Sequence, residues 1–76
     1  MRVILNTIEK VKDFVAVVNH SPCDVDLISG KSTYLDAKSI LGILSCNIKE
    51  PLSIEIFGGE TDKEALIHNI ERFVID

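Results

Sequence analysis

Apolar residues recur along this chain with two periods, about two and about three and a half, and the switches between them mark out the elements. Met1-Arg2-Val3-Ile4-Leu5 is β-rich and puts Val3 and Leu5 on one face, which predicts a first strand. Asn6 or Thr7 then caps a helix, and Asn6 with Glu9 has the spacing of a capping box. The helical stripe is Ile8, Val11, Phe14, Val15 and Val18, with Glu9, Lys12, Asp13 and Asn19 elsewhere. Asn19-His20-Ser21-Pro22 ends the helix, because proline biases the residue before it away from helical backbone.

Strict alternation over Cys23-Asp24-Val25-Asp26-Leu27 predicts a second strand with Cys23, Val25 and Leu27 facing inward. Ser29-Gly30-Lys31 is a turn, and Ser32 to Leu35 pairs back as a third strand. A short helix runs from about Ala37 to Ser45, and Lys49-Glu50-Pro51 breaks the chain again. Leu52, Ile54 and Ile56 alternate with Ser53 and Glu55 in a fourth strand. Gly58-Gly59 supplies a turn, and Thr61 with Glu64 forms a second capping box for a last helix. Its stripe is Leu66, Ile67, Ile70, Phe73 and Val74. The order is βαββαβα. Strands with one apolar face and helices with one apolar stripe pack most economically as an α+β open-faced sandwich, a single antiparallel sheet covered on one side.

Seventy-six residues suit one small domain, residues 1–76, and apolar residues at 46% suffice for a two-layer core. Such a chain is expected to be stable by on the order of 5 kcal/mol. A net charge of −4 argues against nucleic-acid or anionic-membrane binding, which needs a concentrated basic face. The longest apolar runs, such as Phe14 to Val18, are far short of a membrane span, and Asn6, Glu9 and Lys10 interrupt any leader-like start. A cytoplasmic location is the expectation. Cys23 and Cys46 make no disulfide framework and no C-x-x-C pair, so each reads as a small buried or half-buried apolar residue.

The short helix carries the most specific local pattern, Asp36-Ala37-Lys38-Ser39-Ile40-Leu41-Gly42-Ile43-Leu44-Ser45. Ser39 stands at its mouth, where a serine either satisfies local amides or receives a phosphate. Ile40, Leu41, Ile43 and Leu44 point in too many directions for one stripe, so some of them are left for a partner, a second copy or an irregular core. Lys38-Ser39-Ile40-Leu41-Gly42, with Gly30-Lys31-Ser32 before it and the βαββαβα order, resembles HPr, the phosphocarrier family of the bacterial sugar phosphotransferase system.

That resemblance implies four strands covered on one face by three helices. It also implies serine phosphorylation at Ser39, and a docking surface formed by Ile40, Leu41 and Leu44. Partners would be proteins, namely a serine kinase/phosphatase and a transcriptional regulator of carbon use, and the chain would be a monomer or weak homodimer. The family's catalytic segment departs. Thr7 or Ile8 falls near the position of the family's phosphorylated histidine, and Glu9 near that of its arginine. A hydroxyl offers no imidazole nitrogen as nucleophile, and an acid repels the incoming phosphoryl group. The expectation is therefore a non-catalytic regulatory or docking protein needing no cofactor or metal. Asn6, Thr7 and Lys38 are candidates for a residual anion pocket, while Asp36 would oppose a phosphate on Ser39.

Rival readings remain open at this level. His20 and His68, at the far end of the first helix and within the last, could replace the nucleophile in an active phosphocarrier, although neither has a recognisable ligand spacing. A ferredoxin-like regulatory domain that binds a small molecule has a similar element order. An acylphosphatase-type enzyme would need an arginine in a phosphate loop. Arg2 and Arg72 lie instead in the first strand and the terminal helix.

Overall fold

A computed structural model describes residues 1–76. The elements are β1 (Arg2–Val3), α1 (Ile8–Asn19), β2 (Asp24–Ser29), β3 (Thr33–Asp36), α2 (Ile40–Leu44), β4 (Leu52–Phe57) and α3 (Glu60–Asn69), with a 3₁₀ turn at Glu71–Phe73. One antiparallel sheet runs β1-β4-β2-β3. β4 is inserted between β1 and β2, so β1 sits toward an edge. A ferredoxin-like sheet inserts its third strand there instead, so that rival does not describe this sheet.

Register sorts the two sheet faces. Val3↔Leu52, Val25↔Ile56, Leu27↔Ile54 and Leu27↔Leu35 pair on the covered side. Sixteen buried residues from this side and from all three helices form one cluster, with no polar or charged residue buried in it. Phe14 of α1 meets Phe73 edge-to-face, with ring centroids 5.4 Å apart, and so ties the chain's end to its first helix. Between β2 and β3, Gly30 takes φ 64°, the left-handed backbone that a tight hairpin turn requires and a side chain resists.

Several sequence expectations are corrected. β1 covers only Arg2–Val3, although Val3 and Leu5 are both buried as the alternation predicts. α1 is capped by Thr7, whose Oγ1 accepts the Lys10 amide at 3.1 Å, so the Asn6–Glu9 box does not form. Ile8, the first residue of α1, leaves the stripe at 56% exposed. α2 is five residues long; residues 37–38 are instead a turn, closed by Ser39 N–H donating to the Asp36 carbonyl, and Ser39 is the extended N-cap. α3 starts from Gly59 without a side-chain cap, which places Thr61 inside the first turn.

The last stripe is also not one helix. Leu66, Ile70 and Phe73 are buried as expected, but α3 stops at Asn69 and Phe73 arrives on the 3₁₀ turn. Beyond it the chain lies antiparallel to β1 through a Val3↔Val74 bridge, with Ile75 N–H donating to the Arg2 carbonyl and Ile4 N–H to the Phe73 carbonyl. An outer strand edge with unpaired amides is thereby covered. Arg2 and Asp76 close this tail with an ion pair, and the guanidinium hydrogen bond holds the Asp76 carboxyl below its ordinary pKa.

Candidate functional site

Ser39 occupies the N-cap of α2, with extended backbone at φ −109° and ψ 105°. Its Oγ accepts the Gly42 amide at 3.1 Å, and its carbonyl accepts Ile43 N–H. A five-residue helix has almost no hydrogen bonds of its own, so this cap is a large part of what defines it. Gly42 permits the approach, since a Cβ there would sit 3.1 Å from Ser39 Oγ. At the other end Ser45 Oγ donates to the Gly42 carbonyl at 2.6 Å and Cys46 Sγ to the Ile43 carbonyl at 3.0 Å.

The apolar residues of α2 separate by direction. Ile43 is fully buried and anchors the helix, while Ile40 and Leu44 are half-buried against the core. Leu41 is 82% exposed, the most exposed large apolar side chain in the protein. Transfer of a leucine side chain out of water is worth about 1.5–3 kcal/mol, a gain that Leu41 leaves unrealised in the free chain.

The structure does not bring the three candidates for an anion pocket together. Asn6 and Thr7 adjoin the amino end of α1, where Glu9 also lies in the first turn. Lys38 does not join them. Its Nζ donates to the Ser21 carbonyl at 3.4 Å, just beyond the carboxyl end of a helix that is roughly 18 Å long at 1.5 Å per residue. The Lys38 amide is held by Asp36 Oδ1 at 2.9 Å, and Ser39 N–H donates to the Asp36 carbonyl, so Asp36 shapes the approach to the cap.

The two imidazoles stand apart from that helix end. His20 is the C-cap of α1, and His68 is exposed on α3 with Nδ1 3.4 Å from Glu71. His20 lines a cleft of about 120 Å³ with Val17, Asp62, Leu66 and Asn69, a feature that needs residues forty positions or more apart in sequence to meet. No local pattern announces it. No helix of the chain is long and apolar enough to cross a membrane.

Taken together, a β1-β4-β2-β3 sheet, three helices on one face and a serine-capped short helix with an outward leucine define the HPr type of open-faced sandwich. The family model described as the PTS HPr component phosphorylation site matches residues 10–76, and the chain belongs to that family. Its members are phosphocarriers that work with other proteins of the phosphotransferase system, which gives this chain a role related to that system. The match begins at Lys10, after Thr7 and Glu9. Searches among curated proteins and among solved structures found no match.

Proposed function

We propose that this protein is a regulatory docking module of the phosphotransferase system, working in the cytoplasm through protein partners and transferring no phosphoryl group itself. The observation that carries the reading is Leu41, held outward on a helix whose first residue follows the Ser39 cap. Leu41 with the accessible parts of Ile40 and Leu44 forms the contact surface, and Ser39 is the switch beside it.

Chemistry at Ser39 favours that assignment. A phosphate there adds a charge of about −1.5 to −2 while keeping an oxygen for the Gly42 amide, so the helix keeps its cap and the surface next to Leu41 becomes anionic. Partners that read both features would carry an arginine beside an apolar groove. Asp36 opposes the added charge, and Lys38 is turned toward Ser21, so the affinity for phospho-Ser39 must come mostly from the partner.

Chemistry at the start of α1 disfavours transfer. The N-cap side chain there is the Thr7 hydroxyl, already engaged by the Lys10 amide, and Glu9 supplies the negative charge that a helix amino end prefers. His20 sits at the opposite end of the same helix. The test has two arms. Incubation with the family's serine kinase and ATP should add one phosphate, mapped to Ser39 and absent from Ser39→Ala. Incubation with phosphoenolpyruvate and the family's phosphohistidine donor should add none. An acid-labile phosphate in the second arm would mean that carrier chemistry survives. An unmodified Ser39 in the first would remove the switch and leave docking through Leu41 as the function.

A further inference from the structure

The sheet has a second face, and no helix covers it. Outward register positions across β3, β2 and β4 place Asp36 opposite Asp26 and Asp26 opposite Glu55, so three carboxylates stand in one cross-strand row. Asp24 lies on the same face one row along, opposite Phe57, and Tyr34 lies one row the other way, opposite Ile28. These four acids carry as many negative charges as the net −4 of the entire chain. None of them belongs to an ion pair, and Arg2, the cation at an outward position of β1, is taken by Asp76.

Like charges directly opposite in an antiparallel ladder repel one another, so the row works against the sheet that carries it. The aromatic residues beside it are unusually free, with Tyr34 61% and Phe57 49% exposed. No group of three or more acids, cysteines or histidines has the geometry to hold a metal ion. The charge repels nucleic acid and anionic lipid. What complements an acidic row between two aromatic ends is a cationic polypeptide with apolar residues spaced among its lysines or arginines.

We propose that the open sheet face is a second docking surface, for a basic amphipathic segment of a partner protein. Lysine or arginine side chains of that segment lie over Asp26, Asp36 and Glu55, and its apolar side chains rest on Tyr34 and Phe57. The surface is on the opposite side of the sheet from α2 and does not include Leu41; Asp36, at its rim, is the one residue it shares with the approach to Ser39, where its carboxylate accepts the Lys38 amide.

The trial is fluorescence anisotropy with a labelled peptide alternating lysine and leucine, at low salt. Asp24→Asn/Asp26→Asn/Glu55→Gln, which leaves Asp36 beside Ser39 untouched, should weaken binding at least about tenfold. Tyr34→Ser/Phe57→Ser should weaken it several-fold at unchanged charge. Asp13→Asn/Glu50→Gln/Glu64→Gln, which removes the same charge from other exposed positions, should change it less than about twofold. Leu41→Ser should leave it intact. Neutralising the row relieves repulsion, so the first variant should melt at or above the parent temperature. In case it does not fold, amide chemical-shift changes in the parent on peptide addition should fall on β2, β3 and β4 and spare α2. Equal losses from the two charge-neutralised variants, no loss from the aromatic pair, shifts centred on α2, or no binding by the parent would each overturn the proposal.

Discussion

Replacing Ser39 with alanine removes the side-chain acceptor that holds the Gly42 amide at 3.1 Å. N-cap serine to alanine costs about 0.5–2 kcal/mol, with about 1 typical. This site belongs in the upper half of that range, because Ser39 is half-buried and α2 has only five residues. For a domain of this size each kcal/mol moves the melting midpoint by roughly 4–8 °C, so Ser39→Ala should melt roughly 4–16 °C below the parent. The loss is bounded above by what α2 anchors: removing the Ile43 side chain from the core would cost about 2–5 kcal/mol. Ser39→Asp keeps an acceptor at the cap and puts a negative charge at a helix amino end, an interaction worth at most about 1 kcal/mol and offset here by the neighbouring Asp36. It should melt within about 2 °C of the parent. Calorimetry or urea titration of the three proteins decides the matter. If Ser39→Ala melts with the parent, or Ser39→Asp falls as far as Ser39→Ala, the serine does not cap α2 and the account of this helix is wrong. Ser39→Asn, which keeps a cap acceptor but has neither charge nor hydroxyl, disentangles two roles, since a partner lost on alanine but kept on asparagine would point to helix integrity and not to the hydroxyl as a phosphate acceptor.

Two further outcomes follow from the same packing. Leu41→Ser should leave the melting midpoint within about 3 °C of the parent, because an exposed site costs little, yet abolish capture of partners that use α2; Ile43→Ala, two positions on and fully buried, should cost about 2–5 kcal/mol, so near-equal destabilisation of the two would contradict the assigned orientation of α2. Asp76, whose carboxyl pKa is lowered by the Arg2 guanidinium, binds its proton more weakly folded than unfolded. Its contribution is therefore complete above the ordinary carboxylate pKa and fades as pH falls through the depressed value. In Arg2→Met the Asp76 midpoint, followed by NMR, should rise toward the ordinary value, and an unchanged midpoint would break the link between the pair and the tail.

Period and alternation made the sheet legible because each strand has one wet and one dry face: Val25, Leu27, Leu52 and Ile54 are buried where the alternation put them. Element ends were harder to read. Asn6 and Thr7 are both good caps, and only the turn geometry chooses Thr7. Thr61 with Glu64 has the spacing of a capping box, but Gly58-Gly59 lets the chain enter the helix before the threonine is reached. Leu66, Ile70 and Phe73 satisfy a helical repeat equally well when the last step is a 3₁₀ turn, so the tail beside β1 left no trace in the pattern.

The candidate site divides along the same line. The Ser39 cap and the outward direction of Leu41, two residues on, were readable because each is set by a few adjacent residues. Lys38 was not, since its placement depends on where the far end of α1 crosses the lead-in to α2, a contact between positions seventeen residues apart. The cross-strand acids were invisible for a stronger reason: Asp26, Asp36 and Glu55 become neighbours only once β4 has been inserted beside β2. The same insertion makes the two faces of the sheet chemically different, one apolar and one acidic. The covered face buries every apolar strand residue it can, while the helix above it retains one outward leucine under the control of a single cap bond. A short helix secured in this way ties Leu41 to Ser39 directly, because any modification that left Ser39 unable to accept the Gly42 amide would loosen the element that presents Leu41. A phosphate on Ser39 would keep that acceptor, so on the proposed reading phosphorylation would change what the surface presents to a partner without dismantling it.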